Sequence, residues 1–252
     1  MNMNWRKRKK KNRLTKSTVV QNWNQYKCMI YRIADRVSTQ IAPMFCKSNS
    51  DNDIATFNCF SSAVSSGDRT SAISYGSHAS AESSGDYASA GTFGECSTAS
   101  ASGNFSSAIS YGKYSTAATS GSFSSAGTSG NFSSAAASGY RSSSVAYGEN
   151  STAEATGYLS SATTSGNYST ASASCFKSSA ATYGKDSIAV ANGVKSRGKG
   201  AVGSYIVLTE YDETGKTMTA KMEKVDGEHI KADTWYILVN GEFREWEESD
   251  WD

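Results

Sequence analysis

Residues able to carry chemistry are sparse in this 252-residue chain and badly spaced for it. The two histidines, His78 and His229, allow neither a Ser/His/Asp set nor a histidine metal cluster, and His78 reads as a surface residue. Five cysteines, Cys28, Cys46, Cys59, Cys96 and Cys175, are scattered without a CxxC pair, which points to reduced thiols rather than a disulfide framework or a structural zinc. The central acidic residues, Asp68, Glu82, Asp86, Glu95, Glu149, Glu154 and Asp186, recur in no column dense enough for a calcium cage. Glu82 and Glu154 share a position in the repeat described below, but four coils, or about 19 Å, separate them. That is too far for paired-carboxylate hydrolysis of a glycoside. The expectation is a non-enzyme without cofactor or metal. Binding is better provided for, first by the cluster Arg6, Lys7, Arg8, Lys9, Lys10, Lys11, Arg13 and Lys16. Such a block contacts nucleic acid or another anionic partner, or stays a solvated tail.

The element that must position everything central is a nine-residue repeat. Glycines from Gly67 through Gly76, Gly85 and onward to Gly166 stand nine apart, Gly184 and Gly193 resume the register, Cys175 replaces glycine once and Asn58 precedes the series. With glycine as position 1, position 6 is Ala from Ala63 to Ala189 except at Ser144, and positions 4 and 8 hold nothing larger than Thr. Positions two apart on a strand share a face, so positions 4, 6 and 8 mark a tightly packed interior. Disorder would impose no such size limit. Position 3 varies freely (Arg69, His78, Tyr87, Phe105), and the glycine corner supplies a turn, since glycine takes positive φ without steric cost.

Nine extended residues cannot close a coil, so two units of nine form one coil of 18 residues. The two sides differ, because position 9 is Tyr75, Phe93, Tyr111, Tyr147 and Tyr183 in one set of units and mostly serine in those between. SAISYG recurs at Ser71–Gly76 and Ser107–Gly112, with SSVAYG and SAATYG at further steps of 36, so bulky and small coils are expected to alternate on one face. The result is an all-β, parallel β-solenoid over residues 57–199, with seven or eight coils. Its interior of Ala, Ser and Thr buries little apolar area. Backbone ladders and inward hydroxyls bonded to carbonyls or to each other must hold it together. On its outside, Ile73, Tyr75, Phe93, Ile109, Tyr111, Val145, Tyr147 and Tyr183 form a candidate interaction stripe, although strand propensity alone accounts for exposed tyrosines equally well.

Flanking the repeat, residues 1–16 read as a basic tail and 17–56 as an amphipathic helix with a linker. The seam Val19, Trp23, Tyr26, Ile30, Ile33, Val37 and Ile41 stops before Pro43. This helix covers the first coil or joins protomers. Residues 200–252 read as a small antiparallel β cap domain with an acidic tail. Asp212 to Gly215 and Asn240-Gly241 are its hairpin turns.

Two resemblances follow from quoted segments. SAISYG and SSVAYGENSTA resemble the head repeats of trimeric autotransporter adhesins, lean β-rolls packed side by side in a trimer, although the unit of those heads is longer. A closer resemblance is to a family of phage and prophage proteins, also found in gut-bacterial genomes, whose nonapeptides lead into KGAVGSYIVLTEYDETGK and then VDGEHIKADTWYILVNGEF, here Lys199 to Phe243. It implies a solenoid with a small end domain and no particular activity. The balance of 25 Lys+Arg against 23 Asp+Glu gives no global reason for a nucleic-acid or membrane partner. No apolar run is long enough to span a bilayer, so the virion or the bacterial cytoplasm is the expected location. The function expected is a structural or interaction rod, a phage or virion part that binds a protein partner or itself. The alternatives are an ice- or lattice-binding solenoid with hydroxyls at position 5, and a spacer tethered to nucleic acid by the basic N-terminus.

Overall fold

The computed structural model describes residues 45–48, 53–212 and 214–251. Two compact units divide the chain, Met1–Ala42 and Pro43–Asp252. The first carries the expected basic tail and amphipathic helix, which therefore lie outside the described residues.

The second unit is a parallel β-solenoid. Its strands are β1 (Phe45–Ser48), β2 (Ile54–Phe57), β3 (Ser62–Ser66), β4 (Ser71–Tyr75), β5 (Ser80–Ser84), β6 (Ser89–Phe93), β7 (Thr98–Ser102), β8 (Ser107–Tyr111), β9 (Thr116–Ser120) and β10 (Ser125–Ser129). There follow β11 (Ser134–Ser138), β12 (Ser143–Tyr147), β13 (Thr152–Thr156), β14 (Ser161–Thr164), β15 (Thr170–Ser174), β16 (Ser179–Thr182), β17 (Ile188–Asn192) and β18 (Arg197–Lys199). Odd-numbered strands stack into one sheet and even-numbered strands into the other, so each strand pairs in parallel with the strand two later. Residues 18 apart share a column, as in Ala108↔Ala126 and Ala117↔Ala135. Two strands per coil give about nine coils and a length of about 40 Å. The expected seven or eight is too few because β1 and β2 precede the first glycine corner. Ile54 and Thr56 fill the interior there, opposite Ala72 and Ser74.

The interior follows the size rule of the repeat. Alanines of position 6 from Ala63 to Ala189 are essentially inaccessible, as are the Ser and Thr of positions 4 and 8. Larger side chains enter the core cluster only at the ends, Ile54 at one and Ile206, Leu208, Val225, Ile230, Tyr236 and Leu238 at the other. Gly198 stands where alanine would, because a Cβ there would lie 2.8 Å from Ile206 Cγ2.

Most corners carry two residues with positive φ. Gly130 has φ +153°, and a Cβ on it would come within 2.2 Å of the Gly112 carbonyl oxygen one coil away. The second is position 3, which is not glycine: Tyr87, Phe105, Phe132 and Leu159 all have φ between 56° and 59°. Such residues adopt this conformation at a cost of about 1–2 kcal/mol. Their N–H groups offset it by bonding the position 2 carbonyl of the next coil, as in Phe105 N–H to Ser122 O at 2.9 Å.

Buried hydroxyls knit the corners to one another. Ser133 Oγ donates to Gly112 O at 3.0 Å and accepts from Ser115 N–H at 3.2 Å. Ser115, Ser151 and Ser169 repeat the arrangement along the same corner. The opposite corner does likewise, with Ser106 and Ser124 on Gly85 O and Gly103 O. A bonded hydroxyl thereby replaces an apolar core.

Past β18 the chain keeps to the same two sheets. β19 (Tyr205–Tyr211) lies parallel to β17 and antiparallel to β20 (Thr217–Lys224), while β21 (Tyr236–Val239) meets β18 at Gly198 and pairs antiparallel with β22 (Glu242–Glu245). Asn240 and Gly241 link β21 to β22 with φ of 52° and 74°, as a two-residue hairpin requires. A 3₁₀ turn, Glu248–Trp251, follows.

Candidate interaction surface

The outer face of the even strands holds every residue of the expected stripe. Ile73, Gly91, Ile109, Gly127 and Val145 make its central column. Along one border run Tyr75, Phe93, Tyr111, Ser129 and Tyr147, with Tyr183 just beyond β16. Position 5 on this face is serine from Ser71 to Ser179. From β4 to β16 its outward positions thus carry no charge. The expected alternation of bulky and small coils holds in the central column between Ile73 and Val145, but not at the border. There Phe57, Tyr75, Phe93 and Tyr111 stack continuously, with centroids 4.8 to 5.0 Å apart and planes within 12° of parallel. Strand spacing alone brings such rings to a favourable separation, each contact contributing about 0.5–1.5 kcal/mol. Ser129 and Ser165 then separate Tyr111, Tyr147 and Tyr183, and Lys199 Nζ lies 4.8 Å from the Tyr183 ring.

The odd-strand face differs. Its position 5 column runs Thr98, Thr116, Ser134, Thr152, Thr170. Glu82 and Glu154 project from the same face, separated in their column by Ser100, Ala118 and Ala136.

A second aromatic ladder lies at the corners between β3 and β4, β5 and β6, and so on. Tyr87, Phe105 and Phe123 stack at 5.0 Å, Phe123 meets Tyr140 edge to face at 5.5 Å, and Tyr140, Tyr158 and Phe176 continue the series. Cations flank it, with Arg69 5.8 Å from the Tyr87 ring and Lys177 5.5 Å from Phe176. Sequence reasoning treated position 3 as freely varying and missed this ladder, because it shifts from position 3 to position 2 at Tyr140. Aromatic residues 18 apart in the sequence, with one step of 17 from Phe123 to Tyr140, are the signal that reveals it. The opposite corner has shorter stacks, Phe60 on His78 and Tyr114 on Phe132.

At the C-terminal end the guanidinium of Arg197 sits among Trp235, Trp246 and Trp251, 4.0 to 4.5 Å from each ring. Burial there pushes its pKa down to about 10, so it remains a cation at neutral pH. Trp251 Nε1 donates to Lys195 O at 3.0 Å, and Lys177 Nζ donates to Trp251 O. These bonds fasten the last turn to the rod. A nearby cleft of about 440 Å3 is lined by Lys195, Glu210, Asp212, Arg244 and Asp250 among others. Its carboxylates are already engaged. Glu210 accepts from Asn240 N–H and Gly241 N–H, Asp250 pairs with Arg244, and the Thr214 hydroxyl and Lys216 N–H hold Asp212 below the usual carboxylate range. The carboxylates of the cleft thus serve to close turns.

Arg6, Lys7, Arg8, Lys9, Lys10, Lys11, Arg13 and Lys16 lie outside the described residues. Among the described residues Cys59, Cys96 and Cys175 are free and exposed, no three His, Cys, Asp or Glu side chains gather to hold a metal, and no helix is long and apolar enough to cross a membrane. No protein-family model, curated protein or solved structure matches the chain.

Proposed function

We propose that the chain is a non-enzymatic structural and interaction protein, a virion-associated rod of phage origin that offers its even-strand face to a protein partner. The observation that carries this reading is the contrast between the two faces. One is free of charge over six strands, β4 to β14, and bordered by stacked aromatic rings, the composition of an interface centre, whereas the other carries Glu82 and Glu154. The C-terminal strands serve this rod as a cap, since Lys221, Glu223 and Lys224 on β20 and Glu242, Arg244 and Glu245 on β22 put charge on the strands that end the sheets. Mass spectrometry of purified phage particles tests the assignment. The protein is expected in the particles at a fixed copy number, and its absence from them removes the virion reading.

A second reading has one observation in its favour. The Thr98, Thr116, Thr152 and Thr170 column, broken by Ser134, gives the odd-strand face a regular hydroxyl array of the kind that matches a crystal lattice. Thermal hysteresis measured on the purified protein decides it, and no hysteresis disposes of ice binding.

A further inference from the structure

We propose that the even-strand face docks on a second copy of this chain, the two rods antiparallel, with the two-fold axis running along the strands between β8 and β10. This rests on reading that face as an interface, and it identifies the partner and the register.

The first support is a glycine that the chain itself does not need. Gly127 lies in the middle of β10, outside the left-handed region, and nothing stands within 4 Å of where its Cβ would be. Glycine weakens a strand interior and marks a bulge, a bend or a place where another group approaches, and the unbroken register of β10 with β8 and β12 leaves no bulge here. With Ser125 and Ser129 it cuts a notch across the face, walled by Ile109 and Tyr111 on one side and by Val145 and Tyr147 on the other.

The second support is self-complementarity. An axis between β8 and β10 brings Ile109 of one copy over Gly127 of the other and Tyr111 over Ser129. One coil outward, Val145 faces Gly91 and Tyr147 faces Phe93. A further coil outward, Ile73 faces Thr163 and Tyr75 faces Ser165, and beyond them the free face ends, since Ser179 and Ala181 are buried within the chain. Large side chains thus meet small ones at most levels, and Phe93 with Tyr147 forms an aromatic pair. Parallel rods about an axis along their length would instead set each level against itself, Ile109 on Ile109 and gap on gap. A closed two-fold contact requires this kind of matching.

The third support is extent. Seven strands, β2 to β14, spaced by about 4.8 Å, with five residues each at about 3.3 Å, give roughly 550 Å2 per partner, β16 being left out because Ser179 and Ala181 are buried and Ser179 accepts from Arg197 Nε. That is about two thirds of the roughly 800 Å2 per partner of a standard interface, without counting the relief of the aromatic rings. The axis falls about half a strand spacing from the middle of these seven strands.

Sedimentation equilibrium of the full chain from about 1 to 100 µM tests the proposal. Wild type is expected as a dimer in this range. Gly127→Ile sets isoleucine against Ile109 twice per dimer and is expected to raise the dissociation constant at least about 30-fold. Ile109→Gly combined with Gly127→Ile exchanges knob and hole and is expected to recover the dimer to within about tenfold of wild type. Ser129→Lys, which puts a charge beneath the partner's Tyr111, is a second disrupting variant should Gly127→Ile fail to fold. A monomer or a trimer at 100 µM, an unchanged constant for the disrupting variants, or an exchange variant that does not recover each overturns the proposal. Occurrence of the protein in phage particles is independent of all of these outcomes, so the two readings fail separately.

Discussion

A serine at the fourth position of the nonapeptide links two neighbouring corners. Ser133 gives its proton to Gly112 O and takes one from Ser115 N–H, so Ser133→Ala leaves both without that partner inside the rod. Unmade buried hydrogen bonds cost about 1–3 kcal/mol, and a loss of that size is expected in urea unfolding of the variant. Thr164 presents the opposite case. Its hydroxyl is fully buried and has no partner in the protein. Thr164→Val keeps the shape and removes the unsatisfied group, so the variant is expected to unfold at the same or higher urea concentration. Cys175 occupies the glycine position with φ +107°, a conformation that costs a side chain about 1–3 kcal/mol. Cys175→Gly is accordingly expected to stabilise the protein, and a lower melting temperature would contradict the conformational account.

A single strand of this fold contributes half a coil's interior, and its tolerance is set by the sheet opposite. Ala126 is about 2% exposed and is stacked between Ala108 and Ser144. Ala126→Leu overpacks that layer, and loss of the folded state, read from circular dichroism, is expected, whereas an unchanged melting curve would mean the interior has room. Much at this scale was legible in the sequence. A ban on anything above Thr at positions 4 and 8 could come only from close packing, and it marked the buried face along the whole repeat. Legibility failed where a column changes position without changing its place in space. The ladder passes from Phe123 to Tyr140 by sliding one residue along the corner, and the nine-residue register hides that slide. It failed again at β1 and β2, where Ile54 replaces the alanine that announces a coil. The left-handed conformation of Tyr87 or Phe105 was also invisible, since no residue preference marks it and only the bonds to the next coil sustain it. At the candidate surface the residue types were readable, but the notch at Gly127 emerges only when columns 18 apart are laid side by side.

For the molecule as a whole, the account makes stability cumulative. Each coil bonds only its neighbours, so the rod behaves as a one-dimensional stack whose ends are its weak points. The Arg197 cluster with Trp235, Trp246 and Trp251 sits at one such end. Truncation after residue 200 exposes the strand edges of β17 and β18, and aggregation of the shortened chain is expected in light scattering. The central claim, two nonapeptides per coil, is tested most directly by spin-label distances along one outward column. Labels are placed at Ser71 and, in turn, at Ser107, Ser125, Ser143 and Ser161, in a chain without native cysteines and diluted with unlabelled protein. The separations are expected to be narrow and to grow by about 4.8 Å for every 18 residues. Broad distributions, or distances that do not rise in equal steps with each 18 residues, would contradict the solenoid.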